Sequence, residues 1–223
     1  MALTIRSLSS ANVWDYENGF YWFADRRRFG KFCAHYELYK KILGIPGDIL
    51  EFGVYKAASL VRMAVFRDLL ETSHSRKIVG FDAFGDFPTD GLSLPSDRNF
   101  VPEFESAGGP GLDVEEVEAI FRGKGCGDNV RLIKGNVIET LPAFLDEQPQ
   151  TRIALLHLDM DVYEPTQMAI ELLWDRIVPG GLLVIDDYNA VEGATRAIDE
   201  FLATSGRQIA KLPISHVPAF IIK

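Results

Sequence analysis

Two short runs place carboxylates directly after apolar segments: His157-Leu158-Asp159-Met160-Asp161 and Ile185-Asp186-Asp187. His157, Asp159 and Asp161 share parity, so an extended backbone directs them to one side. If the two apolar segments are neighbouring strands, four carboxylates meet at one sheet edge. Like charges that close raise each other's pKa and cost stability unless a cation lies among them. Oxygen donors without cysteine suit a hard divalent ion, Mg²⁺, Ca²⁺ or Mn²⁺, rather than zinc. Any one of these aspartates alone reads as a helix cap or turn residue, and the grouping carries the inference. His157 reads as a hydrogen-bonded sheet histidine, with a general base as the alternative. His35, His74, His216 and Cys126 have no partner in sequence and read as structural or surface residues.

A second set of residues follows two earlier apolar runs. Asp48-Ile49-Leu50-Glu51-Phe52 leads into Gly53, and a helix is expected from Ser59. A glycine after a buried strand lets a ligand approach the backbone, and a helix N-terminus favours a negative group. Only one glycine of a nucleotide loop is present, with Ala57 and Ala58 where others would stand, so a plain strand-to-helix turn remains open. Ile78-Val79-Gly80-Phe81 ends at Asp82, an acid placed to accept both hydroxyls of a ribose. Glu51 and Asp82 together would repel a phosphate but not a nucleoside with a cationic tail, which selects S-adenosylmethionine over NAD. Phe84 could flank the adenine or pack in the core.

These residues need a scaffold that brings strand ends together. Helical spacing of Tyr36, Leu38, Tyr39, Ile42 and Leu43 stops at Gly44-Ile45-Pro46-Gly47. Strands are expected over 48–52, 77–81, 130–133, 152–158 and 182–185, with short ones near 207–212 and 218–222. Helices are expected over 59–71, 113–122, 138–147, 165–177 and 193–204, with Pro179-Gly180-Gly181 as a breaker. Residues 83–112, rich in Gly, Pro, Asp and Ser, read as one long functional loop. This alternation predicts an α/β fold: a doubly wound, mainly parallel, seven-stranded Rossmann-like sheet with an antiparallel edge strand. Residues 1–33, with Trp14, Tyr16, Phe20, Tyr21, Trp22, Phe23, Phe29 and Phe32, read as an N-terminal helical and aromatic cap on a 34–223 domain. That cap is either packed on the core, a lid over a site, or the surface of a homodimer.

Composition sets outer bounds. The 223 residues are 47% hydrophobic and 25% charged, as expected of an ordered globular chain. With 23 Lys+Arg against 32 Asp+Glu the formal charge is −9, and no basic block offers a footprint for nucleic acid. Cys33 and Cys126 suggest neither a disulfide framework nor a thiolate zinc site. The first six residues lack a signal-peptide core, and no apolar run reaches the roughly 18 residues of a bilayer span, so a cytoplasmic protein without membrane partners is expected.

Four segments together resemble the macrocin O-methyltransferase family: 48–59, 78–88, Leu158-Asp159-Met160-Asp161-Val162-Tyr163-Glu164-Pro165-Thr166, and Pro179-Gly180-Gly181 through Asp186-Asp187-Tyr188. The last two, in this order and spacing, are the specific ones; the first two are shared with many class I methyltransferases. The resemblance spans roughly residues 30–205. It implies S-adenosylmethionine-dependent, divalent-metal-dependent methylation of a small-molecule hydroxyl, a sugar of a natural product. It further implies Mg²⁺ or another hard cation on Asp159, Asp186 and Asp187, and Asp161 as general base. It places Glu51, Gly53, Ser59, Asp82, Asn136 and Asp159 beside the cofactor. Met160 stands where a small glycine is common, and His157 where an arginine is common. The N-terminus and the 83–112 segment, which would shape the acceptor pocket, diverge. A nucleotide-sugar glycosyltransferase could also use Asp-x-Asp, but here the motif lacks a basic or glycine-rich phosphate partner. In a dehalogenase-type phosphatase that motif would follow the first strand. A non-catalytic binding protein would have no need of the acid cluster.

Overall fold

The computed structural model describes residues 2–223. A seven-stranded sheet has the order β5-β4-β3-β6-β7-β9-β8. Its strands are β3 (Asp48–Phe52), β4 (Ile78–Asp82), β5 (Val130–Lys134), β6 (Ile153–Leu158), β7 (Ile177–Ile185), β8 (Ile209–Lys211) and β9 (Ala219–Ile222). The pairs from β5 through β7 are parallel, whereas β9 is antiparallel to β7 and β8 is antiparallel to β9. The expected antiparallel edge is therefore two strands wide. A separate two-stranded ribbon, β1 (Thr4–Ile5) and β2 (Leu8–Ser9), lies near the N-terminus.

Strand parity divides the core. Ile49, Ile78, Leu155, Leu182 and Val184 face α2 (Arg26–Lys41) and α3 (Ala58–Leu70), where they meet Leu38, Tyr39, Ile42, Leu60 and Met63. Leu50, Phe52, Val79, Phe81, Leu156, Leu158, Leu183 and Ile185 face the other way. There they meet α6 (Val137–Glu147), α7 (Tyr163–Leu173) and α8 (Glu192–Ser205). Helices on both faces account for the unbroken burial of β6, whose six residues are all inaccessible. Each such buried aliphatic side chain contributes about 1.5–3 kcal/mol of transfer free energy. Glu51 and His157 have the parity of the α2/α3 face, and they are register partners across β3 and β6.

Some elements depart from the sequence reading. The segment expected to be a loop over 83–112 holds a helix, α4 (Pro95–Gly108), with proline at its first turn and Pro102 inside; its polar composition hid it. The N-terminal part contains α1 (Val13–Phe23), and α2 begins at Arg26, where the Asp25 side chain accepts from the Arg27 N–H. With no breaker near residue 33, α2 runs straight through the expected domain border. β7 starts at Ile177 and continues through Pro179-Gly180-Gly181, and the helix before it ends at Leu173, earlier than expected. The remaining helix, α5 (Val114–Lys124), opens with a reciprocal Asp113/Glu116 capping box. Among the described residues no helix is long and apolar enough to cross a membrane.

Candidate functional site

Chain order reverses at the middle of the sheet: β4 and β5 lie on one side of β3, β6 and β7 on the other. Ligands of such sheets bind beyond the strand ends at this switch point. Gly53 follows β3 there with φ +90, and a Cβ on it would fall 1.8 Å from the Asp159 carbonyl oxygen. Only glycine permits this approach. The Asp159 N–H donates to the Phe52 carbonyl (2.8 Å) and the Asp186 N–H to the Leu158 carbonyl (3.0 Å). These bonds draw the acids of β6 and β7 together. Asp159, Asp186 and Asp187 each present a carboxylate oxygen, and these oxygens lie within 4.8 Å of one another.

The electrostatics are divided among partners. Burial first, then Asp186 and Asp187, pushes Asp159 well above the usual carboxylate range. Burial, then Asp161 and Asp186, does the same to Asp187. Asp161 is raised to about 7 by burial and by Asp159 and Asp186. Burial would also raise Asp186, but His157, His35 and Lys31 outweigh it and hold it well below the ordinary range. Lys31, from α2, donates its ammonium to Asp186 Oδ2. Burial opposes that charge, yet Asp186, Asp159 and Asp187 raise its pKa. Burial likewise would discharge His157, but Asp186 and Glu51 hold it up to about 10. Burial pushes His35 down to about 4.

A cavity of about 540 Å³ opens beside these acids. Gly53, Asp82, Asn136, Asp159 and Asp161 line it, together with Tyr55 from the turn after β3 and Phe87, Leu92 and Phe104 from the segment around α4. Asp82 already accepts from Val54 N–H (2.7 Å), Tyr55 N–H (2.9 Å) and Phe84 N–H (2.7 Å), so it shapes the turn after β3 as well as facing the cavity. Asn136 caps α6 by accepting from the Ile138 N–H. Glu51 and Ser59 lie behind the wall, joined by a 2.8 Å hydrogen bond, and Glu51 also meets His157 Nδ1 at 3.2 Å. Phe84, at φ 47, is packed in the core and does not line the cavity. That left-handed turn carries its ring into the core. Two non-glycine residues with positive φ, Tyr55 (φ 50) and Asp161 (φ 65), line the cavity. Such backbone outliers persist where surrounding structure over-determines them, often at functional sites.

Lys31 and His35 are the residues that sequence reasoning missed. They stand four apart on α2, hence on one face, which was the available signal. The donor set fits a hard cation: three carboxylates suit Mg²⁺, and Asp187 Oδ2 is buried without a hydrogen-bond partner among the described residues.

A family model described as Macrocin-O-methyltransferase (TylF) matches residues 23–220. A relative from Streptomyces olivaceus, an 8-demethyl-8-(2,3-dimethoxy-alpha-L-rhamnosyl)-tetracenomycin-C 4'-O-methyltransferase, is 34% identical over 176 residues, covering 78% of this chain and 64% of its own length. A mycinamicin III 3''-O-methyltransferase from Micromonospora griseorubida is 28% identical over 164 residues, covering 71% of this chain and 61% of its own. The chain thus spans about three fifths of the length of these curated relatives. Among solved structures, an apo TDP-rhamnose 3'-O-methyltransferase of calicheamicin biosynthesis superposes with a TM-score of 0.68 at 28% identity, covering 94% of this chain and 86% of that one.

Proposed function

The chain belongs to the macrocin O-methyltransferase family, and from that premise we propose that it methylates a sugar hydroxyl of a natural product with S-adenosylmethionine, aided by a hard divalent cation. The relatives' sugar acceptors supply the substrate class. The observation that carries the reading is the meeting of Asp159 and Asp161 with the Gly53 turn on one cavity wall.

Bound S-adenosylmethionine supplies an electrophilic methyl on a sulfonium, and bound Mg²⁺ on Asp159, Asp186 and Asp187 supplies positive charge that lowers a hydroxyl's pKa. Gly53 lets the donor lie against the backbone, and Asp82 and Asn136 border its nucleoside end. Asp161 would accept the hydroxyl proton of the acceptor as general base, and the sulfonium, when bound, would supply the methyl and leave as a neutral thioether. Tyr55, Phe87 and Phe104 exclude water and hold the acceptor ring, and that positioning provides the entropic share of the rate. The test is calorimetry with S-adenosylmethionine, with and without Mg²⁺, followed by transfer of labelled methyl to glycosides lacking the O-methyl group. Binding of the donor and EDTA-sensitive labelling are expected. No heat with the donor would overturn the methyltransferase reading; full labelling in EDTA would overturn the metal's part in it.

A further inference from the structure

A polar cluster that shares only Asp186 with the acids proposed for methyl transfer lies beneath them, on the α2/α3 face of the sheet. His35 from α2 and His157 from β6 are both 0% exposed, and their rings meet edge-on at 5.4 Å. Between them stands Asp186 Oδ1, 3.6 Å from His157 Nε2 and 3.9 Å from His35 Nε2. These separations exceed hydrogen-bond length. His35 Nδ1, His35 Nε2, His157 Nε2 and Asp186 Oδ1 are all buried without a hydrogen-bond partner among the described residues. Each such orphan costs about 1–3 kcal/mol, so this concentration of them in one place calls for a ligand.

We infer that His35, His157 and Asp186 form a second metal site, one that takes a nitrogen-preferring divalent ion such as Zn²⁺ or Co²⁺. Two imidazoles and a carboxylate are a donor set for such ions, in contrast to the all-oxygen set above it. The one ligand atom from each residue lies within 4.8 Å of the others. Tetrahedral zinc with bonds of 2.0–2.1 Å needs ligand edges of about 3.4 Å; the two edges to Asp186 Oδ1 stand at 3.6 and 3.9 Å and the edge between the imidazoles within 4.8 Å, so binding an ion draws both rings inward. His157 already carries the outer partner of a metal-bound histidine: its Nδ1 faces Glu51 Oε2 at 3.2 Å, which leaves Nε2 for the ion. Glu51 is fixed in turn by Ser59. Asp186 is the bridge, with Oδ1 toward the imidazoles and Oδ2 toward Lys31. An ion there ties α2 to β6 and β7 and fixes Asp186.

The test titrates the full chain with Co²⁺ in excess Mg²⁺, which fills the oxygen-only site. One equivalent is expected to give the visible band of nitrogen-ligated cobalt, bleached by Zn²⁺ and retained in Asp187→Asn. His35→Gln is expected to weaken binding by at least about 100-fold, the upper end of what loss of an outer-shell partner costs. Absence of the band in the unaltered chain, or unchanged binding in His35→Gln, overturns the site. If His35→Gln folds poorly, His35→Cys decides: a new thiolate-to-cobalt charge-transfer band supports it, and none overturns it. The readout is cobalt spectroscopy, not methyl transfer, so failure of the methyltransferase reading leaves this result standing.

Discussion

Asp161 and Lys31 make opposite use of the same field. Asp161 sits at φ 65 just past β6, raised to about 7 by burial and by Asp159 and Asp186, so it can take up a proton that an ordinary carboxylate would refuse. Asp161→Asn keeps the shape and removes the base; kcat is expected to fall by about 10²–10⁴ while calorimetric affinity for S-adenosylmethionine is unchanged. A variant that retains turnover would move the base elsewhere. Lys31 holds the acids together by an ammonium on Asp186, with its side chain 21% exposed. Removing one partner of a largely buried pair leaves the other uncompensated, at a cost of about 2–4 kcal/mol here. For a chain of this size that lowers Tm by roughly 8 °C. Lys31→Met is therefore expected to melt earlier in EDTA and to regain most of the loss in saturating Mg²⁺, because a divalent ion replaces the missing charge. An equal deficit with and without Mg²⁺ would show that ammonium and metal do not share the acids.

Among the elements, α4 is the one the sequence concealed, and it forms the cavity wall. Its anchor is Asp97, which is fully buried, accepts from the Tyr163 N–H at 2.8 Å and lies against Gly193 of α8. A Cβ at Gly193 would come within 2.3 Å of Asp97 Oδ1. Gly193→Ala is expected to cost about 1–3 kcal/mol by overpacking and to speed hydrogen exchange across 95–108, with KM rising more than kcat falls. Unchanged exchange there would show that α4 is held elsewhere. The strands were legible because β3, β4, β6 and the second half of β7 are largely apolar runs followed by acids that could be read directly, whereas Pro179-Gly180-Gly181 hid the first half of β7. α4 was not, since Pro102 and its polar face match a loop's composition. Phe84 stayed open between cofactor and core in the sequence, because its backbone turn at φ 47, invisible there, decides which way the ring points. His35 and Lys31 were missed because their partners lie on strands more than 100 residues away, a tertiary fact with only a helical-spacing hint.

At the scale of the whole molecule, the two ends of the sheet carry opposite electrostatic duties. The strand C-termini gather acids that repel one another, while the strand N-termini are clamped by satisfied pairs. There Arg76 donates to the carbonyls of Ile42 (3.1 Å) and Gly47 (2.9 Å) and pairs with Glu71 at 2.7 Å, and Glu71 also accepts from Tyr39 Oη at 2.5 Å. This joins α2, α3 and the base of β3 and β4. Burial would raise Glu71, but Arg76 and Tyr39 outweigh it and hold the group below its ordinary value of 4.5. A carboxylate depressed in the folded state contributes stability that is fully present above its unfolded pKa and is lost as pH falls through its folded pKa. Chain stability is therefore expected to drop as pH descends below about 4.5, the ordinary glutamate range. Glu71→Gln should be less stable at pH 7 and should show a flatter acid limb. The acids above pull the other way, since protonation relieves Asp159 and Asp187, so the two contributions separate only in that variant. Denaturant midpoints measured from pH 7 to pH 3 on both chains decide it. Parallel curves would mean that the clamp at the foot of the sheet is not what acid dissolves.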